Sequence, residues 1–284
     1  MKLTLKFPIL FFLNLVLIFP SCSITHEEQP VVVIRDLSYG SDSLQKLDVF
    51  LPPHPTGNTK TVVVIHGGGW SQGDKSGTGY FSAILANHGF AAVQINYRLA
   101  GRTARLPEMM DDIASAIRFI EGKSVEWGVD THNIALFGHS AGAHLALVYA
   151  YRNDSLKRIR AVVSLAGPTD LLDTNVLNKK VNQEMFRTVI GDTIKKHWKD
   201  AGPINIATSK SPPTILLHGK MDPYFPFNQS VVLNEKLISL GVVSKLILFE
   251  KEGHELYPPI ISQDNNSILW DNVIRFLKEN TDSR

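Results

Sequence analysis

The sequence predicts an α/β fold in which a mostly parallel sheet carries helices on both faces and an antiparallel N-terminal hairpin precedes it. Three observations support this prediction: short apolar runs without alternation, amphipathic stretches between them, and an imperfect two-residue alternation near the N-terminus. Uninterrupted aliphatic runs are typical of parallel strands covered on both faces. Strands that alternate with helices favour a single parallel sheet, because each crossover lays its helix against one face.

The first predicted elements form the hairpin. Two strands, Val31–Tyr39 and Leu44–Leu51, flank a turn at Gly40–Ser43. Apolar residues occupy every second position at the end of the second strand, as in a half-buried strand. The segment Pro52–Lys60 that follows is rich in Pro, Gly and Asn and is predicted to be a loop.

The parallel part of the sheet is predicted from runs such as TVVVI, with helices between and after them. The predicted buried strands are Thr61–Ile65, Ala91–Ile95, Ile134–Phe137, Ala161–Leu165, Thr214–Leu217 and Leu246–Phe249. The predicted helices are Pro107–Glu121, Ser140–Tyr151, Gln229–Leu240 and Ile268–Glu279. The first of these helices begins with Pro and repeats apolar residues at steps of three and four, which gives it one apolar face.

One segment is longer than a simple crossover needs. Leu171–Ala201 is polar and mixed, with a candidate helix at Gln183–Ile190. Two interpretations stay open, a small cap over the functional site or an ordinary crossover helix with a long loop. The chain has 284 residues, so residues 31–284 are predicted to form one domain, this segment included.

The N-terminus has the pattern of an export signal. Within residues 1–21 the only charges are Lys2 and Lys6, and an apolar run covers Ile9–Phe19. Such a run is too short for a typical membrane-spanning helix but suits a signal peptide. We therefore expect residues 1–21 to be removed and the protein to be exported to a bacterial periplasm, cell surface or medium.

Cys22 is the single cysteine and follows the predicted signal directly. An intramolecular disulfide is therefore excluded. The position resembles the acylated cysteine of bacterial lipoproteins, which would make residues 22–30 a tether to a membrane. Ordinary cleavage nearby, with an incidental cysteine, is the alternative.

Charge excludes one class of partner. The formal net charge is +2, and loss of Lys2 and Lys6 with the signal brings it to zero. A neutral chain gives no electrostatic reason to bind nucleic acid. The sequence leaves the oligomeric state undetermined.

The candidate nucleophile is Ser140, at the centre of the G-x-S-x-G sequence at 138–142. A predicted strand precedes it and a predicted helix with small residues follows it, which is the strand–turn–helix context of a nucleophile elbow. The helix N-terminus favours negative charge that develops beside the serine.

Candidate oxyanion-hole donors come from HGGGW at 66–70, directly after a predicted central strand. Acyl transfer creates an oxyanion that backbone N–H groups must already face. The motif resembles the HGGG sequence of esterases and lipases, which acts with the amide after the nucleophile. We assign the donors to Gly68, Gly69 and Ala141, with the amide of Trp70 as a substitute for one of them.

Chain order selects the base. In α/β-hydrolases the serine is followed by an acid and then by a histidine. The histidines downstream of Ser140 are His144, His197, His218 and His254. His254 follows the last predicted strand, which is where the base is expected, whereas His218 suits a structural role. The acid is predicted to be Asp222, in the loop after the preceding strand, with Asp170 and Asp173 as rivals.

Several motifs together carry a family resemblance. They are HGGGW (66–70), GDK (73–75), NYRLA (96–100), GHSAGAHLA (138–146), HGKMDPYFPF (218–227) and EGH (252–254). The chain resembles hormone-sensitive-lipase-like carboxylesterases of the α/β-hydrolase fold, and within them it looks most similar to bacterial acetylxylan and feruloyl esterases and to arylformamidases. His139, where that lipase group usually has Asp, favours the HGGGW and GHSAG subgroup. The resemblance implies ester hydrolysis through an acyl-enzyme, without a metal or an organic cofactor.

Aromatic residues near these motifs are substrate-binding candidates. Trp70, Tyr224, Phe225 and Phe227 offer rings that stack on sugars or aromatic acyl groups, or that pack in the core. His139 either lines the pocket or packs, and the same alternatives apply to His144. The predicted partner is a small-molecule or oligosaccharide ester.

Two other function classes compete with the esterase. One is a related hydrolase, either an arylformamidase or a prolyl-type peptidase. The predicted export disfavours an arylformamidase, and 284 residues hold no additional propeller-sized domain of the kind a prolyl-type peptidase carries. The other is a non-catalytic receptor, because a fold alone does not prove activity. The presence of Ser, Asp and His in the required order favours an enzyme.

Overall fold

The computed structural model describes residues 30–101 and 104–281. The predicted signal peptide at 1–21, Cys22 and all of the tether except Pro30 lie outside these residues. Within the described ranges, no helix has both the length and the apolar character needed to span a membrane.

Eight strands form one sheet, in the spatial order β1-β2-β4-β3-β5-β6-β7-β8. In chain order they are β1 (Val32–Ser38), β2 (Lys46–Leu51), β3 (Thr59–Ile65), β4 (Ala91–Ile95), β5 (Val129–His139), β6 (Ile159–Leu165), β7 (Thr214–Gly219) and β8 (Ser244–Phe249). β2 runs antiparallel to both β1 and β4, and all other neighbours are parallel. The predicted fold class, including the antiparallel N-terminal hairpin, is confirmed.

Ten α-helical segments connect and flank the strands in the described residues. They are α1 (Gly79–Asn87), α2 (Leu106–Gly122), α3 (Ser124–Trp127), α4 (Ala141–Val148), α5 (Thr174–Leu177), α6 (Lys180–Ile190), α7 (Lys195–Ala201), α8 (Pro203–Ile206), α9 (Asn228–Ser239) and α10 (Gln263–Thr281). The long segment after β6 therefore contains three short helices, α5 to α7, where one was predicted.

Side chains of the buried strands alternate between two apolar layers. In β3, Val62 and Val64 face the layer that contains α1 and α10, whereas Val63 and Ile65 face the layer that contains α2 and α4. Burial of one such aliphatic side chain contributes about 1.5–3 kcal/mol. Because both layers need apolar partners, the strand sequence has no polar face, which explains the uninterrupted runs.

Three of the differences between the structure and the sequence prediction concern α1, β5 and α4. α1 was not predicted, although Phe81 and Leu85 bury one of its faces. β5 begins at Val129, earlier than predicted, because its first residues pair with the start of β3 before a register shift. The helix after Ser140 ends at Val148 and continues as one wider π-type turn.

Candidate active site

Ser140 occupies a strained turn between β5 and α4. Its φ of 54° and ψ of −120° are rare for a residue with a side chain. A Cβ added at Gly138 would lie 2.3 Å from the Gly142 carbonyl oxygen, and one at Gly142 would lie 2.1 Å from the Ile65 carbonyl oxygen. Neither position has room for a side chain, so the two glycines of the motif allow the tight turn that exposes the serine to the cavity.

The structure brings the three predicted triad residues together. His254, in the loop after β8, has its Nε2 2.8 Å from Ser140 Oγ. Its Nδ1 lies 2.6 Å from Oδ2 of Asp222, which comes from the loop after β7. The carboxylate accepts a hydrogen bond from the Nδ1–H group, so the ring keeps its proton on Nδ1 and the lone pair of Nε2 faces the serine hydroxyl.

The Asp222 carboxylate is buried and accepts four hydrogen bonds. Oδ2 accepts from His254 and, at 3.0 Å, from Nε2 of His218. Oδ1 accepts from the backbone amides of Tyr224 at 2.7 Å and Phe225 at 2.9 Å. Burial alone would raise the pKa of Asp222, but the bonds from the two histidines and from Phe225 hold the pKa well below its usual range. Asp222 is therefore ionised at neutral pH.

His218 completes this arrangement from the end of β7. Its Nδ1 lies 2.8 Å from Ser230 Oγ, while its Nε2 faces Asp222. The ring is fully buried and does not contact Ser140. Its contacts fit the structural role predicted for it.

The loop after β3 presents backbone amides beside Ser140. Gly68 and Gly69 have φ values of 109° and 56°. In the described part of the chain, the N–H groups of Gly68, Gly69 and Ala141 donate to no protein acceptor. All three residues border the cavity that contains Ser140. These amides match the predicted oxyanion hole in position and in free hydrogen-bonding capacity.

Trp70 anchors this loop. Its φ is 62°, and its indole N–H donates to Nδ1 of His144 at 3.2 Å. The ring also packs edge-on against Phe186 of α6 and is 0% exposed. Trp70 borders the cavity, but of the two interpretations left open for its ring, a stacking surface or a core side chain, the burial supports the core.

His144 has a packing role beneath the loop. Its Nε2–H group donates a hydrogen bond to the Ala201 carbonyl oxygen at 3.0 Å, so Nδ1 is free to accept a hydrogen bond from the Trp70 indole N–H. Burial lowers the pKa of His144 to about 4, so the ring is neutral at physiological pH. Of the alternatives left open for this residue, packing fits its contacts.

A cavity of about 510 Å³ opens over Ser140. Helix α6, in the segment with the predicted cap, contributes Val181 and Met185 to its wall. Met185 lies directly above the oxyanion loop, since a Cβ added at Gly69 would be 2.9 Å from its Sδ. The location of α6 agrees with the cap interpretation, which stays a prediction.

The predicted aromatic candidates divide into three environments. Tyr224 is 50% exposed and places its ring edge against His254, with 5.0 Å between the centroids. Phe225 is buried at the cavity wall, 5.9 Å from the same ring. Phe227 is not among the described residues that line the cavity, and its ring instead lies 5.6 Å from the Lys220 ammonium.

His139 and Glu255 form a second polar group at the cavity. Nε2 of His139 lies 3.2 Å from the His254 carbonyl oxygen and 3.5 Å from Oε2 of Glu255. Burial and the neighbouring His254 lower the pKa of His139 to about 4, so its imidazole is neutral at physiological pH. One ring nitrogen of each histidine and one Glu255 oxygen lie within 4.8 Å of one another. In the structure, Nε2 of His139 donates to a carbonyl oxygen and Nε2 of His254 accepts from Ser140 Oγ, so neither nitrogen is free to face a common metal ion.

The rival acids lie elsewhere. Asp170 accepts a hydrogen bond from the Leu172 amide, and Asp173 caps α5 through the Asn175 amide. Both border a separate cavity of about 350 Å³, which His254 does not line. The contacts therefore favour Asp222 over either rival.

Five of the described residues that line the cavity were not found by sequence reasoning, namely Ser71, Gln72, Val181, Met185 and Glu255. Val181 and Met185 lie in a polar segment without a motif, and only the tertiary position of α6 brings them to the site. Glu255 had an available signal, because it directly follows His254 in the EGHE sequence at 252–255.

Three features define an α/β-hydrolase. They are the serine at the elbow, the histidine and the carboxylate from the loops after β8 and β7, and the topology of the eight strands. The chain belongs to the BD-FAE family, whose match covers residues 47–237. The resemblance noted from the motifs is thus confirmed at the level of α/β-hydrolase esterases.

Individual relatives give a consistent comparison. Esterase LipC of Mycobacterium tuberculosis (strain ATCC 25618 / H37Rv) is 31% identical over 220 residues, which are 72% of this chain and 54% of LipC. The chain thus spans about half the length of the curated relatives it matches.

Two solved structures share the fold. A truncated form of a carbohydrate esterase from gut microbiota has a TM-score of 0.76 and 22% identity over 89% of this chain and 97% of that chain. A bifunctional GH43-CE protein from Bacteroides eggerthii has a TM-score of 0.75 and 26% identity over 87% of this chain and 38% of that chain.

Proposed function

We propose that the protein is an exported serine carboxylesterase that hydrolyses small acyl esters through an acyl-enzyme at Ser140. The observation that carries this proposal is the Ser140–His254–Asp222 chain of hydrogen bonds, at 2.8 and 2.6 Å, beside three backbone amides that have no acceptor among the described residues. Nucleophile, base and oxyanion donors meet at one cavity, as acyl transfer requires.

In the proposed first half of the reaction, Ser140 Oγ attacks the ester carbonyl carbon while its proton passes to Nε2 of His254. The carbonyl oxygen becomes an oxyanion and accepts hydrogen bonds from the amides of Gly69 and Ala141, with Gly68 as the third donor. The C–O bond to the alcohol then breaks, and the imidazolium gives its proton to the leaving alkoxide. Asp222 stabilises the imidazolium in this interval.

In the second half, a water molecule attacks the acyl carbon of the ester on Ser140. His254 takes a proton from the water, the same amides hold the new oxyanion, and the bond to Ser140 Oγ breaks. The serine regains its proton from His254 and the carboxylic acid is released. All proton transfers use one nitrogen, Nε2.

Carbohydrate esters with acetyl or feruloyl groups are the proposed substrate class. Tyr224 offers a half-exposed ring to a sugar or an aromatic acyl group. The described cavity lining contains no Lys or Arg, which suits an uncharged ester better than an acidic one. The similar structures described as a carbohydrate esterase and as a GH43-CE protein motivate the same choice.

Export and lipid attachment are part of the proposal. They rest on residues 1–21 and on Cys22, as argued from the sequence. Mass spectrometry of the native N-terminus tests both points. A mature chain that starts at Cys22 with an acyl mass supports the lipid anchor, and an unmodified start at a later residue contradicts it.

A substrate panel on the purified protein tests the activity. We expect hydrolysis of acetyl, butyryl or feruloyl esters, with turnover reduced by several orders of magnitude in Ser140→Ala. An organophosphonate should label the protein but not Ser140→Ala. Ser71→Ala is the matched control, because Ser71 is the other serine at the cavity and its loss should preserve labelling.

The competing functions give different outcomes. Faster turnover of N-formylkynurenine or of a prolyl peptide than of any ester would replace the esterase by an amide-bond hydrolase. Absence of phosphonate labelling and of turnover on the whole panel would favour a receptor.

A further inference from the structure

We propose that a side cavity next to the oxyanion loop, bordered by Asp74, Glu255 and Tyr257, binds the sugar ring that leaves as the alcohol when a carbohydrate ester is cleaved at Ser140. The reaction rests on the proposed function, whereas binding of a free sugar in the side cavity does not require catalysis.

The side cavity adjoins the catalytic cavity. It has a volume of about 200 Å³, and Gly68, His139 and Glu255 line both cavities. A ligand held at Ser140 can therefore extend past Glu255 and stay in contact with the protein. Sites for drug-sized ligands have roughly 300–1,000 Å³, so this smaller volume suits a group of the size of one sugar ring.

The direction of the reaction places the alcohol on this side. In the proposed mechanism the leaving oxygen takes its proton from Nε2 of His254, so it must lie within hydrogen-bond distance of that atom. The His139 and His254 ring centroids are 5.2 Å apart, and Glu255 directly follows His254 in the chain. Among the described residues Met185 lines the catalytic cavity but not the side cavity, which leaves its wall to the acyl group.

The polar lining of the side cavity suits hydroxyl groups. Asp74 is held by hydrogen bonds from the Ser76 amide at 2.8 Å and from Nδ2 of Asn96 at 2.7 Å, one on each carboxylate oxygen. Each oxygen keeps a lone pair for a further donor. The Glu255 side chain is 35% exposed and offers a second carboxylate. The described part of the lining holds no Lys or Arg, so an uncharged polyol fits it better than an anion.

Aromatic rings complete the lining. Tyr257 packs edge-on against Phe81 and against His139, with 6.0 Å between the ring centroids in each pair. Tyr257 and Phe81 both border the side cavity. A tyrosine presents an apolar ring and a polar hydroxyl, which is the combination that a sugar ring with its C–H and O–H groups requires.

His66 provides an independent observation at the same cavity. The residue is 3% exposed and belongs to the lining of the side cavity. Its Nδ1 donates to the Gly67 carbonyl oxygen at 2.7 Å, whereas its Nε2 has no hydrogen-bond partner among the described residues. Buried polar atoms without a partner are rare. A sugar hydroxyl both donates and accepts, so it can pair with this nitrogen in either protonation state.

A comparison of two acetate esters tests the site. Methyl β-xyloside monoacetate and ethyl acetate deliver the same acetyl group to Ser140, so the ratio of their kcat/KM values measures what the sugar contributes. Glu255→Ala should lower this ratio by about tenfold or more, as for loss of a hydrogen bond to a charged acceptor. Tyr257→Phe should lower it by about threefold or more, as for loss of a neutral hydrogen bond.

Two matched variants serve as controls. Glu250 has a side chain that is 73% exposed, and Tyr80 places its hydroxyl 3.1 Å from Oδ1 of Asn266. Neither is among the described residues that line the two cavities. Glu250→Ala and Tyr80→Phe should therefore keep the ratio within about twofold of the parent, as for surface changes.

An unchanged ratio in Tyr257→Phe and in Glu255→Ala would overturn the site, including the case in which both esters lose rate equally because the loop only holds His254 in place. If Glu255→Ala does not fold, Tyr257→Phe decides alone. Ligand-observed NMR with methyl β-xyloside tests binding without turnover. The parent and Ser140→Ala should both bind the sugar at millimolar concentration, and Tyr257→Phe should bind it more weakly. Absence of binding to the parent would refute the site, whereas sugar binding by a protein that cleaves no ester would refute the proposed function and support the site.

Discussion

Replacement of Asp222 by Asn tests the acid of the triad most sharply. The amide keeps one oxygen for the backbone N–H groups of Tyr224 and Phe225, but it places an NH₂ group opposite the ring N–H groups of His254 and His218. Two donors then face each other, so His254 must change its tautomer or lose its orientation. The lone pair of Nε2 no longer faces Ser140.

The expected loss follows from these contacts. Substitution of Asn for a triad Asp with a conserved geometry reduces turnover by about 10⁴, or about 5.5 kcal/mol of transition-state stabilisation. A hydrogen bond to a charged group contributes about 1.5–3 kcal/mol. Because two such bonds from histidines are disrupted but the site can partly rearrange, we expect the free energy of unfolding to fall by about 2–4 kcal/mol.

The assay combines kcat/KM on p-nitrophenyl acetate with urea unfolding. Asp170→Asn is the control, since the Asp170 carboxylate accepts a backbone hydrogen bond from Leu172 and lines a different cavity from Ser140. Its rate should stay within about threefold of the parent, as for a change without catalytic contact. A nearly unchanged rate in Asp222→Asn together with a collapse in Asp170→Asn would refute the assignment.

The pH dependence of stability gives an independent check. The folded-state pKa of Asp222 lies below the value of about 3.9 for an unfolded aspartate. The stabilisation from its ionised form is therefore complete above that value and is lost as pH falls through the folded-state pKa. We expect the stability difference between the parent and Asp222→Asn to be largest near neutral pH and to shrink below about pH 4.

Three further predictions concern the cavity, the elbow and the oxyanion loop. Met185→Ala should increase the ratio of kcat/KM for butyryl over acetyl esters by about tenfold, which is the effect expected when a hydrophobic pocket gains a small volume. Met221 is 66% exposed and does not line the cavity, so Met221→Ala should leave this ratio unchanged. Gly142→Ala should lower the melting temperature sharply or prevent folding, because the added Cβ would overlap a carbonyl oxygen of β3. Gly122 has open space around it, so Gly122→Ala should stabilise α2 by about 0.5 kcal/mol. Trp70→Ala should cost about 3–5 kcal/mol in urea unfolding and reduce kcat. An increase in KM alone, with kcat unchanged, would argue against its role as anchor.

The sheet was predictable because its central strands are covered on both sides. Val62 and Val63 belong to opposite apolar layers, so the run that contains them has no polar position and cannot be an exposed strand. α1 was harder to predict. It begins with Gly79, directly after a 3-10 turn, and its buried face is short. Gly77 and Gly79 favour a loop at its start, whereas the packing of Phe81 and Leu85 against the sheet favours the helix.

The chemistry of the site was more predictable than its specificity. The spacing of glycines around Ser140 and the chain order of acid and histidine are properties of sequence, and the structure brings Ser140, Asp222 and His254 together. The sequence showed His218 four residues before Asp222, but its hydrogen bond to Asp222 depends on the conformation of the loop after β7. Met185 reaches the cavity only because α6 packs against Trp70 through Phe186.

This difference has a physical cause that bears on how the protein can change. The nucleophile and oxyanion donors lie at the ends of β5 and β3, where paired strands and crowded glycines leave little freedom, as at Gly142. Val181, Met185 and Glu255 come from connections outside the sheet, which tolerate substitution more readily. Changes at these three positions should therefore alter acyl or alcohol preference while the distance from Ser140 Oγ to His254 Nε2 is kept. A BD-FAE sequence that retains the elbow and the HGGGW loop but differs in α6 or after its last histidine should share this reaction and differ in substrate.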